Sequence, residues 1–170
     1  MKKSGRTLKQ RLYGLKHLSS RLKRVRHFRG HGVHSPYVYD IVRKVFMQSK
    51  LVCEQRDLYD ALVGRGIAQR RCVQLQNLVA HCGSDSWRID SMEECNFLVC
   101  TLDSTNDSLE GYAAYAREHG LTLCILDPYS NANRWAACSR LVEQHRSTTV
   151  DNRAYLLVFN NHLPKQVFVL

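Results

Sequence analysis

Two short apolar runs constrain this chain more than any other feature. Asn96 to Asp103, NFLVCTLD, and Leu121 to Asp127, LTLCILD, each have the length of one buried strand. Neither alternates polar with apolar residues. Continuous apolar runs of this kind suit strands covered on both faces, as in a parallel sheet. Between them, residues 107–118 have helical periodicity and Gly120 stops them. Pro128 closes the second run, and 131–145 is again helical, with Trp135, Cys138, Leu141 and Val142 on one face. Strand, helix, strand, helix at these lengths predicts parallel βαβ units. Trp87 to Asp90 reads as a further short strand. Residues 148–151 and 154–160 read as strand and allow one continuous element. After a turn at NNHLP, the closing QVFVL is expected to return antiparallel.

The part of the chain before Gly83 has a different texture. Leu8, Leu12, Leu15, Leu18, Leu22 and Val25 recur at steps of three and four, which predicts an amphipathic helix over 7–28. Helices are also expected over 36–48, 54–64 and 67–82, the last with Gly83 as its C′ residue. Ser35 followed by Pro36 has the form of an N-cap with proline at the first helical position. The expected organisation is therefore a basic amphipathic helical arm over 1–29 and one α/β domain over 30–170. Within that domain, 30–83 is helical and 84–170 is βαβα plus a hairpin.

Charge separates the same regions. The chain carries 25 Lys and Arg against 15 Asp and Glu, a net of +10. Residues 1–39 hold 11 of the basic residues and none of the acids, so the rest of the chain is nearly neutral. An uncompensated basic helix is either a solvated face docked on the domain or a surface for nucleic acid or an anionic membrane. Aromatic residues do not interleave with its charges, which argues against base stacking and leaves phosphate contact open. No run approaches the roughly 18 apolar residues of a membrane span. No apolar stretch follows the basic N-terminus as in a secretory signal. The 7 cysteines make no C-x-x-C pair, so reduced thiols in a cytoplasm are the expectation.

Candidate chemistry is sparse. Arg29 to Tyr37, RGHGVHSPY, holds His31 and His34 three residues apart. A complete metal site needs three or four ligands, and no spacing ties this pair to His81, Cys82, Cys95 or Cys100, so no metal is expected. Asp103 and Asp127 each end a predicted parallel strand, and Asp90 does so if 87–90 is a strand. Ligands of open α/β sheets bind beyond such strand ends, while a cap or turn role is the simpler reading of each acid. The chain has no G-x-G-x-x-G, no phosphate loop and no G-x-S-x-G elbow.

The segment RGHGVHSPYVYDIV resembles the N-terminal signature of a bacterial family, common in Bacteroidetes, whose members look like class I S-adenosylmethionine-dependent methyltransferases. The closing STTVDNRAYLLVFNNHLPKQVFVL is similar to that family's last strands. The resemblance covers roughly residues 26–48 and 121–170. It implies a doubly wound sheet with a final antiparallel strand in a C-terminal hairpin. Asn96–Asp103 then stands for the fourth strand and Leu121–Asp127 for the fifth. The family's first half should supply a strand ending in an acid, followed by a glycine-rich turn for the cofactor. Here only about 13 residues separate Gly83 from Asn96, where a βα unit needs about 30, and SWRIDSMEEC contains no glycine.

The implied fold is thus a partial, truncated methyltransferase-like sheet preceded by N-terminal helices. The expected function is a non-catalytic binding or interaction module that holds no cofactor. The alternatives are an active methyltransferase with a partner-completed site, or a nucleic-acid-associated protein binding through residues 1–29. If the fold is active, S-adenosylmethionine is the cofactor, Asp90, Asp103 and Asp127 are its candidate ligands, and His31 and His34 are candidate acid or base. A missing half-sheet leaves a strand edge, which makes a protein partner or homodimer an expectation as well.

Overall fold

A computed structural model of the chain describes residues 33–170, with the side chains of Asn106 and Asp107 outside that description. The basic arm over 1–29 and His31 lie outside the described residues. The described chain divides into two compact units, residues 33–85 and 86–170.

The first unit is helical. Helix α1 spans Pro36–Ile41; Ser35 caps it by accepting from the Val38 N–H at 3.4 Å, and proline occupies the first turn. A π-helical turn, Val42–Phe46, continues it, where one unbroken helix over 36–48 was expected. Helix α2 spans Asp57–Gly64 and α3 spans Gln69–His81. Gly83, with φ +63°, ends α3. Ser84 N donates to Val79 O and Gly83 N to Ala80 O, which together satisfy two carbonyls of the last turn.

Three amides of α3, Gln74, Gln76 and Asn77, are buried. Buried amides are costly unless bonded, and each of these holds a neighbouring segment. Gln74 donates to Phe46 O at 2.9 Å, and Gln76 accepts from Tyr59 N at 3.0 Å in the first turn of α2. Asn77 donates to Lys50 O at 2.9 Å and accepts from Val52 N at 3.0 Å. The 46–59 segment is thereby pinned to α3 through backbone groups that no helix or strand would satisfy.

The second unit is a six-stranded mixed sheet with two helices. Its elements are β1 (Trp87–Ile89), β2 (Phe97–Cys100), α4 (Asn106–Glu118), β3 (Thr122–Leu126), α5 (Ala132–Gln144), β4 (Thr149–Asp151), β5 (Tyr155–Val158) and β6 (Val167–Val169). The spatial order is β1-β2-β3-β5-β4-β6. β1, β2 and β3 run parallel, with Phe97 opposite both Trp87 and Thr122. β5 enters antiparallel between β3 and β4. Leu98, Cys100, Leu123, Ile125, Leu156 and Val158 form a core with Leu109, Tyr112 and Ala116 of α4 and Ala137 and Cys138 of α5. Phe97, Val99, Cys124, Tyr155 and Leu157 are fully buried too, so both faces of the central strands are covered, as their unbroken apolar runs require.

Two strand expectations change. The stretch 148–160 is two strands, because Arg153 takes φ +56° and Asn152 N closes the turn on Tyr155 O. The last strand does not return antiparallel. Both edges of β5 are occupied, so the chain crosses to the free edge of β4 and β6 runs parallel to it. Ser147 Oγ and Thr148 Oγ1 guide that crossing by donating to Leu163 O and Pro164 O. The antiparallel hairpin is β4–β5.

His145 follows α5 and is half-buried; its ring nitrogen Nε2 bonds Phe159 O at 2.7 Å. Burial lowers its pKa, against the opposing effect of that bond. A histidine whose folded pKa lies below its unfolded one stabilises the fold above the unfolded value, and loses that contribution as pH falls. From pH 7 to pH 5.5 the unfolding free energy is expected to decline more steeply for the wild type than for His145→Gln, read from urea titrations at each pH. In the helical unit, Asn77→Ala is expected to cost about 2 kcal/mol by leaving Lys50 O and Val52 N without partners. Ala80→Gln, on the exposed side of the same helix, should stay within about 0.5 kcal/mol of wild type in the same denaturation experiment.

Candidate functional site: the carboxyl edge of the sheet

β1, β2, β3 and β4 point the same way, so their carboxyl ends share one edge of the sheet. In open α/β sheets this edge is where ligands bind. Three aspartates stand at strand ends there: Asp90 follows β1, Asp127 follows β3 and Asp151 ends β4. Asp90 and Asp127 take φ values of +53° and +47°, a left-handed conformation that aspartate tolerates better than most residues.

Asp90 and Asp151 are engaged inside the unit through their carboxylates, and Asp127 through its backbone. Asp90 accepts from Thr101 N at 2.8 Å, from Thr101 Oγ1 at 2.6 Å and from Ser104 Oγ, while its own N–H donates to Val99 O. It ties the end of β1 to the loop after β2. Asp127 is buried; its N–H donates to Ala154 O at 2.9 Å and its carbonyl accepts from Ser130 N at 3.0 Å. Asp151 accepts from the Tyr129 hydroxyl and from Arg153 N. The Tyr129 ring stacks on Trp135 with centroids 4.4 Å apart. Asp103 stands apart: it is exposed, and its N–H donates to Thr101 Oγ1 at 3.2 Å within the turn.

The centre of the edge is Arg134, near the start of α5 and only 2% exposed. Asn131 caps that helix by accepting from Arg134 N at 2.8 Å, which sets the arginine's position over the sheet. Its Nε and Nη2 both donate to Leu126 O, at 3.2 and 3.1 Å. Nη2 also donates to Thr101 O at 2.7 Å, and Nη1 to Ser104 O at 3.2 Å. One guanidinium therefore gathers the last carbonyl of β3 and two carbonyls of the β2–α4 loop.

The thiols nearby are poor nucleophiles. Burial pushes the Cys100 thiol strongly up; the charge of Asp90 adds to this and that of Arg134 opposes it. Burial likewise pushes Cys138 up to about 11. Nucleophilic cysteines need the opposite shift.

Of the residues singled out from sequence, Asp90 and Asp127 share this edge and Asp103 lies on the exposed loop beside it. His34 is exposed in the helical unit, one residue before the Ser35 cap. Arg134, Tyr129, Asp151, Thr101 and Ser104 went unremarked. Asp151 carried a usable signal, since TTVD ends in an acid as the other strands do. Arg134 carried a weaker one, as a charge on the apolar face that includes Cys138 and Leu141. Among the described residues, no three His, Cys, Asp or Glu side chains are grouped to hold a metal ion. A scan of protein-family models, a search of curated proteins and a search of solved structures each found no match.

Arg134→Met is expected to destabilise the chain by about 3 kcal/mol, because Leu126 O, Ser104 O and Thr101 O lose their donor in a buried setting. Arg134→Lys keeps the charge but not the fork, and should cost roughly half as much. Chemical denaturation followed by tryptophan fluorescence measures both.

Proposed function

We propose that residues 86–170 are a shortened methyltransferase-like sheet that serves as a non-catalytic binding module, its cofactor edge closed by its own side chains. The observation that carries this reading is the buried Arg134 guanidinium, bonded to Leu126 O, Thr101 O and Ser104 O. These carbonyls stand at the strand ends where a cofactor of the family would lie. The β4–β5 pair is an antiparallel hairpin of the kind the resemblance implies, although a further strand, β6, follows it in parallel.

The residues present do not suit S-adenosylmethionine. Its sulfonium would meet a guanidinium of like charge, a repulsion that grows as water is excluded. Asp90, the acid at the end of β1, already accepts three hydrogen bonds from Thr101 and Ser104. Residues 90–96, which return the chain from β1 to β2, contain neither the helix nor the glycine turn that admits a cofactor to the backbone.

Among the described residues, no helix is long and apolar enough to cross a membrane. The test is isothermal titration calorimetry of the full chain with S-adenosylhomocysteine. No binding at micromolar concentrations is expected. A micromolar Kd, abolished by Asp90→Ala or Asp127→Ala, would reverse the reading in favour of an active methyltransferase.

A further inference from the structure

A second concave surface lies at the opposite, amino-terminal edge of the sheet, independent of the strand-end crevice. It is a groove of about 570 Å³ between α4 and α5. Ala113, Leu141 and Val158 contribute apolar walls, and the rest of the lining is mostly arginine and amide, with one carboxylate, Glu110. Arg117 comes from the last turn of α4, Arg140 from α5 and Arg146 from the connection after α5. Arg140 is ion-paired with Glu110 at 3.2 Å. Among the described residues, neither Arg117 nor Arg146 has a carboxylate within ion-pairing distance, and both are exposed.

One amide beside them is placed to donate. Asn161 Oδ1 already accepts from Ser147 Oγ at 3.0 Å and Leu163 N at 3.2 Å, which leaves its amide nitrogen to donate. Lys165 lies close enough to bond Glu143 O at 2.5 Å and to act electrostatically on His145. The bland account of arginines near helix C-termini is compensation of the helix dipole. It covers Arg117 but not Arg146, which lies beyond α5 in a groove already lined by Arg140.

We infer that this groove binds the phosphodiester backbone of a nucleic acid. Guanidinium forks match phosphate oxygens two at a time. The three arginines come from three elements, the last turn of α4, α5 and the connection after α5, so the lining offers more than one guanidinium to an extended anion. Among the described residues, no aromatic side chain other than His145 lines the groove, which suits contact with backbone rather than stacking of bases. The net charge of +10, carried by residues 1–39 rather than by the groove's own unit, also attracts a polyanion to the chain.

The test is fluorescence anisotropy of the full chain with a labelled 20-mer, offered as duplex DNA, single-stranded DNA and single-stranded RNA over a range of salt concentrations. Arg117→Glu/Arg146→Glu is expected to weaken binding tenfold or more near 0.1 M salt. It should also make the slope of log K against log salt shallower by about 1.5 to 2, as two lost phosphate contacts require. Lys50→Glu/Arg70→Glu changes net charge equally outside the groove and should leave the slope unchanged. If the first pair fails to fold by circular dichroism, Arg117→Gln/Arg146→Gln replaces it, with a severalfold loss expected. The relative affinities of the three oligonucleotides identify the form of nucleic acid preferred. The inference is overturned if the groove variants bind as wild type, if the control pair weakens binding equally, or if polyglutamate displaces the oligonucleotide at matched charge.

Discussion

A guanidinium without water around it needs acceptors for its N–H groups, and Arg134 makes four hydrogen bonds to the carbonyls that end a parallel sheet and begin the loop after it. Parallel strands leave their terminal carbonyls pointing at a crevice, where solvent, a helix N-terminus or a ligand ordinarily completes them. Here a side chain from the following helix does so. Each hydrogen bond to a charged group contributes roughly 1.5–3 kcal/mol, and these offset the large penalty of burying the charge. The register of α5 on the sheet, the path of the β2–α4 loop and the orientation of Ser104 toward Asp90 all follow from that placement.

The helical unit solves the same problem with neutral groups. Its 46–59 segment has irregular backbone, and α3 satisfies it with Gln74, Gln76 and Asn77. In both units a helix does more than present an apolar face. It carries buried polar side chains that complete backbone groups elsewhere. Such contacts are directional, so they specify which loop lies where in a way that hydrophobic burial does not.

Much of the fold was legible because it follows from local periodicity. The runs around Leu98 and Cys124 are too apolar and too short to be anything but buried strands, and the helices between them show their faces. Ser35-Pro36 and Gly83 act through local backbone chemistry and behave as their residue types require. What was not legible depends on contacts distant in sequence. The parallel pairing of β6 with β4 follows from β5 already having two neighbours, which no window of residues contains. The return from β1 to β2 through residues 90–96, without a helix, is shorter than the usual parallel crossover. At the strand-end edge, the acids were visible as strand terminators. Their employment was not, since Thr101 and Ser104 are unremarkable hydroxyls until the fold places them against Asp90. Arg134 stands on the apolar face of its helix in sequence, but which carbonyls it meets depends on residues about 30 positions away.

The order of the strands also bears on how the sheet is assembled. β5 must enter between β3 and β4, pairing Leu123 with Val158 across most of the second unit. The β4–β5 hairpin is local, so it can form early, but its docking closes a long loop. Until it docks, β3 keeps an open edge of unpaired N–H and C=O groups flanked by Leu123, Cys124, Ile125 and Leu126. An apolar edge of that kind invites the strands of other chains. The insertion of β5 is therefore the step at which this chain chooses between folding and association.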